Sequence, residues 1–340
     1  MQIRSNVLEL VGDTPMVFLD RVRKQGGARV AAKLEMYNPG FSVKDRIGLP
    51  LIRAGEEKGL LKPGGTIVEP TSGNTGLGLA MAAAVLGYRM VCTVADKVTK
   101  EKIALLRAYG AEVVVCPTDV AADDPRSYYK TAERIRDEQG AYLPYQYYNP
   151  ANPEAHVATT GPEVWRQTDG RITHFVCGIG TGGTISGTGR YLHQQNKDVR
   201  VVGVDTEGSV YAYYFEHRRL PPEDQIHQYL IDGIGEDILP DTVWWDEVDG
   251  ITTVSDEDAY LMMARMAREE ALFCGSSSGA AVHAAVELAA TLPGDDLVVT
   301  LLPDSGERYL SKFNSAWLEA KGLHKALTYL RAAEAAIPAE

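Results

Sequence analysis

Two features of the chain predict an α/β protein with largely parallel sheets and helices on both faces. Short β-branched runs alternate with helix-period stretches over most of the length, and three of the turns between them are crowded with Gly, Ser and Thr. At 340 residues the chain is too long for one minimal core, so one large or two medium domains are expected. With 45% hydrophobic and 24% charged residues it has the composition of a globular protein rather than a disordered one.

Taken in order, the expected strands are Val30–Leu34, Thr66–Glu69, Met90–Val94, Glu112–Cys116, His174–Cys177, Val199–Val204 and Leu297–Leu301. Helical stretches lie between many of them, at Gly76–Leu86, Lys100–Tyr109, Ser127–Glu138, Thr184–Gln195 and Asp256–Ala271. Pro50 falls soon after Lys44 and is expected to kink or break the helix that starts there. Ser209–Asp232, aromatic, basic and proline-containing, departs from the alternation, and Ala326–Glu340 reads as an Ala-rich helix with a frayed tail. In such folds ligands collect beyond the carboxyl ends of strands, where strand-to-helix loops meet. The loops of that kind are Thr71–Gly76, Gly178–Thr184 and Gly275–Gly279.

The net charge of −12 excludes a general nucleic-acid binder, because a phosphate backbone would be repelled. It leaves room for a small anion, which backbone N–H groups can hold without a cationic surface. Cys92, Cys116, Cys177 and Cys274 are far apart, with no CxxC pair and no Cys/His cluster, so neither a metal site nor a disulfide framework is expected. The start, MQIRSNVLELVGDTPM, has no long apolar core, so neither a signal peptide nor a membrane span is expected, and the setting is read as cytoplasmic and reduced.

In Gly178-Ile-Gly-Thr-Gly-Gly-Thr184 the glycines let the backbone approach a ligand, and the helix that follows points N–H groups at an anion. The spacing is a poor match to a dinucleotide fingerprint, and the loop alone reads equally as a tight turn. Lys44, in Asn38-Pro-Gly-Phe-Ser-Val-Lys44-Asp-Arg46, reads by itself as an exposed helix-start residue. Glu69-Pro-Thr-Ser-Gly-Asn-Thr-Gly76 offers hydroxyls, an amide and a helix start, which suit a carboxylate or simply cap a helix.

Together these runs resemble the fold-type II pyridoxal-phosphate family, in its cystathionine β-synthase and cysteine synthase branch. The resemblance extends from about Asn6 to Lys321 and also rests on QYYNPANPEAH at 146–156, DGIG at 232–235 and CGSSSG at 274–279. It implies the tryptophan synthase β-like architecture, two doubly wound three-layer domains with pyridoxal 5′-phosphate in the cleft between them. Residues 1–40 and 146–320 would form the larger, cofactor-binding domain, 41–145 a smaller mobile one, and 321–340 a C-terminal helix and tail. Lys44 would carry the cofactor covalently and shuttle the α-proton of the substrate. Gly180, Thr181, Gly182, Gly183 and the Thr184 hydroxyl would hold the cofactor phosphate, Asn74 its ring oxygen, and Ser277 would face the pyridine nitrogen. Thr71, Ser72, Gly73, Thr75 and Gln146 would receive the substrate carboxylate, with Gly233 bordering the substrate. Small-molecule amino acid and thiol substrates and a homodimer complete the expectation, with no nucleic-acid or membrane partner.

Between the two branches the features divide. Val254–Ala259, Ala267–Gly275, DGIGEDILP at 232–240 and the LLPDS…KFNSAWL stretch at 301–318 look more like cystathionine β-synthase. Phe41–Lys44, SSSGAA at 276–281 and GERYLS at 306–311 look more like cysteine synthase. The balance falls on the first, with homocysteine as the expected acceptor and O-acetylserine sulfhydrylase activity as the alternative, ahead of a dehydratase or racemase of the same fold or a catalytically silent binding relative. The haem-binding and regulatory segments of the animal enzymes have no counterpart in the sequence, so neither control is expected. Glu236 stands after GIG where the animal enzymes carry a tyrosine. The remaining aromatic runs, Tyr142–Tyr148 and Tyr211–Phe215, read as packing at least as readily as substrate entrance, and no histidine is assigned as a ligand.

Overall fold

A computed structural model describes residues 3–71, 73–121 and 123–335. The chain forms two compact units, one of Met1–Asp13 and Tyr37–Ala155, the other of Thr14–Met36 and His156–Glu340.

The first unit has a three-stranded parallel sheet, built from β3 (Thr66–Pro70), β4 (Arg89–Ala95) and β5 (Glu112–Cys116) in that order. The first two strands, β1 (Met16–Phe18) and β2 (Arg29–Leu34), belong to the other unit. Helices α2 (Asn74–Leu86), α3 (Lys100–Ala108) and α4 (Tyr128–Gln139) follow the three strands, and α1 (Asp45–Glu57) precedes them. Because strand side chains alternate, Ile67, Met90, Cys92 and Val94 pack with Ile47, Leu51 and Leu79 of α1 and α2. Val68 and Val91 point the other way, onto Ala132 and Ile135 of α4. The sheet is therefore covered on both faces, which explains why its strands read as continuous apolar runs. Thr99 and Ser127 cap α3 and α4 by accepting from the N–H groups of Lys102 and Lys130.

Pro50 does not end α1 as expected; the helix runs through it to Glu57. A proline there removes the bond to the Arg46 carbonyl, and the buried stripe Ile47, Leu51 and Ile52 supplies the packing that keeps the helix going.

The second unit holds a six-stranded sheet in the order β1 (Met16–Phe18), β2 (Arg29–Leu34), β9 (Leu297–Leu302), β6 (His174–Gly178), β7 (Arg200–Thr206), β8 (Gly250–Val254). Only β1 runs antiparallel to its neighbour. The chain enters this unit inside α5 (Ala151–Ala158) and continues through α6 (Thr160–Gln167), α7 (Gly183–Gln195) and α8 (Tyr211–His217). It then forms α9 (Asp256–Glu269), α10 (Ser276–Ala289), α11 (Ser315–Ala320) and α12 (His324–Ala335). Val176, Val204 and Val298 face α9 and α10, while Phe175, Cys177 and Val299 face Val164 and Ile185 of α6 and α7. The helix expected near the end of the chain is present as α12, where Ala326, Leu327 and Leu330 close over Tyr260 and Met263 of α9. No helix among the described residues is long and apolar enough to cross a membrane.

Candidate active site

The first unit gathers Lys44, Thr71, Gly73, Asn74, Thr75 and Gln146. Lys44 stands at the cap position of α1, half-buried, with no side-chain hydrogen bond to the helix it starts. Its place is set by glycines. A Cβ on Gly78 of α2 would lie 2.5 Å from the Lys44 carbonyl oxygen, and one on Gly48 of α1 only 2.4 Å from the Gly78 oxygen. With bare backbones the two helices touch, which holds Lys44 one helical turn from Asn74, the first residue of α2.

The loop between β3 and α2 turns at Gly73, whose φ of +149° with ψ of −77° suits only glycine. Packed beneath it is the aliphatic part of the buried Lys102, which a Cβ on Gly73 would meet at 3.0 Å. Ser72 lies outside the described residues. The Thr75 hydroxyl donates to the Gln146 side-chain oxygen at 2.5 Å. Gln146 is fixed at both backbone ends: its N–H donates to Glu69 Oε1 at 2.9 Å, and its carbonyl accepts from Asn152 Nδ2 at 2.9 Å. Gln146, expected in the larger domain, thus sits in the same unit as Thr75, because Glu69 ties it to β3.

Glu69, which opens the Glu69–Gly76 run, has no role of its own in the sequence reading. Fully buried at the end of β3, it accepts from the N–H groups of Tyr145 and Gln146. Burial pushes its pKa up to about 7, and the two backbone donors hold it from going higher. The folded protein therefore keeps this proton to about pH 7, whereas the unfolded chain releases it near 4.5. Glu69 thus makes the protein progressively less stable as pH rises from about 4.5 through about 7, by on the order of 3 kcal/mol. Glu69→Gln should lose this dependence. Urea midpoints taken from pH 5 to pH 8 should show wild type losing its advantage over the variant as pH rises. Parallel curves would contradict the assignment.

The second unit gathers Gly180, Thr181, Gly182, Gly183, Thr184, Gly233 and Ser277. Beyond β6 the chain runs through Ile179–Thr181 and turns at Gly182, φ +84°, into α7, so the cap position has no side chain to occupy the first-turn N–H groups. Three consecutive carbonyls are taken from behind. The Gly235 N–H donates to Ile179 O at 2.8 Å, the Tyr211 hydroxyl to Gly180 O at 2.7 Å and the Thr242 hydroxyl to Thr181 O at 2.5 Å. Close approach again requires glycine: a Cβ on Gly180 would stand 2.5 Å from Gly233 O, and one on Gly182 would strike Val243. The Thr184 hydroxyl lies 3.3 Å from Nε2 of the buried His156, whose Nδ1 meets the Thr160 hydroxyl at 2.8 Å. No histidine had been given a part in the site; the QYYNPANPEAH run, in which His156 is the last residue, was the available signal. Ser277 is the second residue of α10, 3% exposed. The space above Gly233 is bounded by Ser277 Oγ, 3.9 Å from where a Cβ would be.

Such a loop suits an oxyanion. Its N–H groups start a helix whose dipole favours negative charge, and a helix start with a bare glycine cap is a common phosphate site. Among the described residues no group of His, Cys, Asp and Glu is placed to hold a metal ion.

Residues 7–304 match the family described as pyridoxal-phosphate dependent enzyme. The chain is 39% identical over 325 residues to a cystathionine beta-synthase of Apis mellifera, covering 94% of this chain and 64% of that protein. It therefore spans less than two thirds of the bee protein's length. With a cysteine synthase of Staphylococcus aureus it shares 42% identity over 307 residues, 90% of this chain and 95% of that one. A solved structure, the O-acetylserine dependent cystathionine beta-synthase from Helicobacter pylori, superposes with a TM-score of 0.83 at 36% identity. The superposition covers 92% of this chain and 99% of that one.

Proposed function

The chain belongs to the pyridoxal-phosphate dependent enzymes, and from that premise we propose that it replaces the β-substituent of serine or an O-activated serine by a thiol, homocysteine first. The fold-type II architecture and the cofactor expected from the sequence follow from that membership. The residues present fit the group: a glycine-capped helix start for the phosphate, a bare Gly233 backbone bordering Ser277, and a lysine at a helix start.

When bound, pyridoxal phosphate supplies the electron-withdrawing ring and carbonyl that acidify the Cα–H of an amino acid. The backbone donors of Gly180, Thr181, Gly182 and Gly183 and the Thr184 hydroxyl would hold its phosphate, Asn74 its ring oxygen, and Lys44 its carbonyl carbon. Thr71, Ser72, Gly73, Thr75 and Gln146 bind the substrate carboxylate, with Gly233 at the substrate's edge. Once the substrate amine has taken its place, the freed Lys44 amine would take the Cα proton as the Cβ–O bond breaks and its electron pair departs with oxygen. The thiol sulfur would then bond Cβ, its proton passing to the departed oxygen, and Lys44 would return to Cα the proton it took. Ser277 would donate to the pyridine nitrogen, and a hydroxyl cannot stabilise a pyridinium as a carboxylate would. Prompt departure of the β-substituent is favoured as a result.

The observation that carries this reading is the seating of Lys44 by the Gly48–Gly78 contact beside the helix that begins at Asn74. Cysteine synthase activity is the second reading, favoured by the Staphylococcus aureus match over nearly that protein's whole length. A competition assay separates them: serine, O-acetylserine and O-phosphoserine offered with homocysteine, cysteine and sulfide, and products resolved by mass. Cystathionine from homocysteine with serine or O-acetylserine is the expected result. Product from sulfide and O-acetylserine alone moves the chain to the second reading, and no product from any pair contradicts both.

Gln146→Ala is expected to raise KM for the amino acid by about 10- to 100-fold, the worth of a hydrogen bond to a charged group, with the cofactor still bound. Unchanged KM would remove Gln146 from the carboxylate site. Action as a homodimer in the cytoplasm belongs to the same proposal; for the compartment, it is supported by the fact that none of the four cysteines forms a disulfide.

A further inference from the structure

We infer that Tyr211 and Thr242 are positioning residues for the phosphate loop, setting the direction of its N–H donors and with it the affinity for a phosphoryl group. The inference rests on the reading of Gly180–Thr184 as the phosphate site and adds two residues that never touch the ligand.

A trans peptide fixes its C=O and the following N–H on opposite sides of one plane. By donating to Gly180 O, the Tyr211 hydroxyl turns the Thr181 N–H away from itself; by donating to Thr181 O, Thr242 does the same for the Gly182 N–H. The Gly235 N–H on Ile179 O orients the Gly180 N–H in the same way. A loop with so many glycines has little preference of its own among these orientations, so the partners behind it must impose one. Both hydroxyls are deeply buried, at 0% and 1% residue exposure, and both come from segments far along the chain, 31 and 61 residues beyond their acceptors.

Tyr211 opens α8 within the stretch that departs from the strand–helix alternation, and its ring packs with Ile185 of α7 and Val210 in the core beneath the loop. Burial, with the carboxylates of Glu236 and Asp205 nearby, pushes its pKa well above the usual phenol value, so it stays an O–H donor. Thr242 follows the DGIGEDILP run, and its neighbour Val243 is the residue a side chain on Gly182 would strike. One short segment thus both forbids a side chain at Gly182 and pins the peptide before it.

The test compares ligands with and without the phosphoryl group. Cofactor-free protein is titrated with pyridoxal 5′-phosphate and with pyridoxal by absorbance, and the bound phosphate is followed by phosphorus NMR. Tyr211→Phe, which keeps the ring in its core, and Thr242→Val should each weaken pyridoxal 5′-phosphate by about 5- to 30-fold and shift the phosphorus resonance. Pyridoxal affinity should be unchanged, and Thr242→Ser should restore the phosphate-dependent part. Equal losses for both ligands, or no loss for either, would overturn the inference while leaving the phosphate site in place. A wild type that binds the two ligands equally well would overturn the site itself, and the inference with it.

Discussion

Lys44→Ala is expected to lower turnover by a thousandfold or more while leaving the fold intact. In the proposed reaction this amine both holds the cofactor and moves the Cα proton, and general acid–base catalysis alone is worth 10²- to 10⁴-fold. The fold should survive because Lys44 lends no side-chain hydrogen bond to the start of α1, and the glycine contact that seats it involves only its backbone. The check is steady-state turnover with O-acetylserine and homocysteine, alongside the thermal midpoint. Activity within tenfold of wild type at an unchanged midpoint would remove Lys44 from the chemistry.

Ser277→Asp should cost about 10²-fold or more in turnover, the scale on which a misplaced charge in a preorganised site is felt. A carboxylate at this buried position would favour a protonated pyridine, a different electronic state for the ring. An acid in the first turn of α10 is compatible with the helix dipole, so loss of folding is not the expected cause. The expected signature is a changed absorption spectrum of the bound cofactor together with the fall in rate. Ser277→Ala, which removes the donor without adding charge, should be milder. Full turnover in the Asp variant with cofactor bound would mean that Ser277 does not face the ring nitrogen.

Most of the fold was legible because its strands are interior and parallel. Val91 and Cys92 face opposite sides of one sheet and both are buried, so β4 stands out as an apolar run between helices. β1 escaped because Met16–Phe18 is three residues long and half-exposed, too short for any period. β8 escaped because it opens at Gly250 and carries partly exposed side chains through the middle. Pro50 signals a break by its local cost alone, and the packing of Ile47, Leu51 and Ile52 that lets α1 run through it is invisible in the local sequence.

At the site, motif residues were legible as candidates, and what holds them was not. Glu69 bonds backbone groups 76 and 77 residues away, and no local pattern announces a carboxylate whose partners are N–H groups of a distant turn. That tie also puts Gln146 in the unit of Thr75, a placement decided by long-range contact rather than by position along the chain. Tyr211 lies in an aromatic run that reads as packing or as substrate entrance; its ring does pack, and its hydroxyl also donates to Gly180 O.

The central claim is that this chain's cofactor chemistry is built on Lys44. Borohydride reduction of the protein with pyridoxal 5′-phosphate, followed by tryptic digestion and mass mapping, tests it directly. A reduced adduct on Lys44 blocks cleavage there, so the predicted result is one modified peptide, Leu34–Arg46, carrying the pyridoxyl phosphate mass. Stoichiometric label on any other lysine, Lys102 beneath the Gly73 turn included, or no label at all, would contradict it.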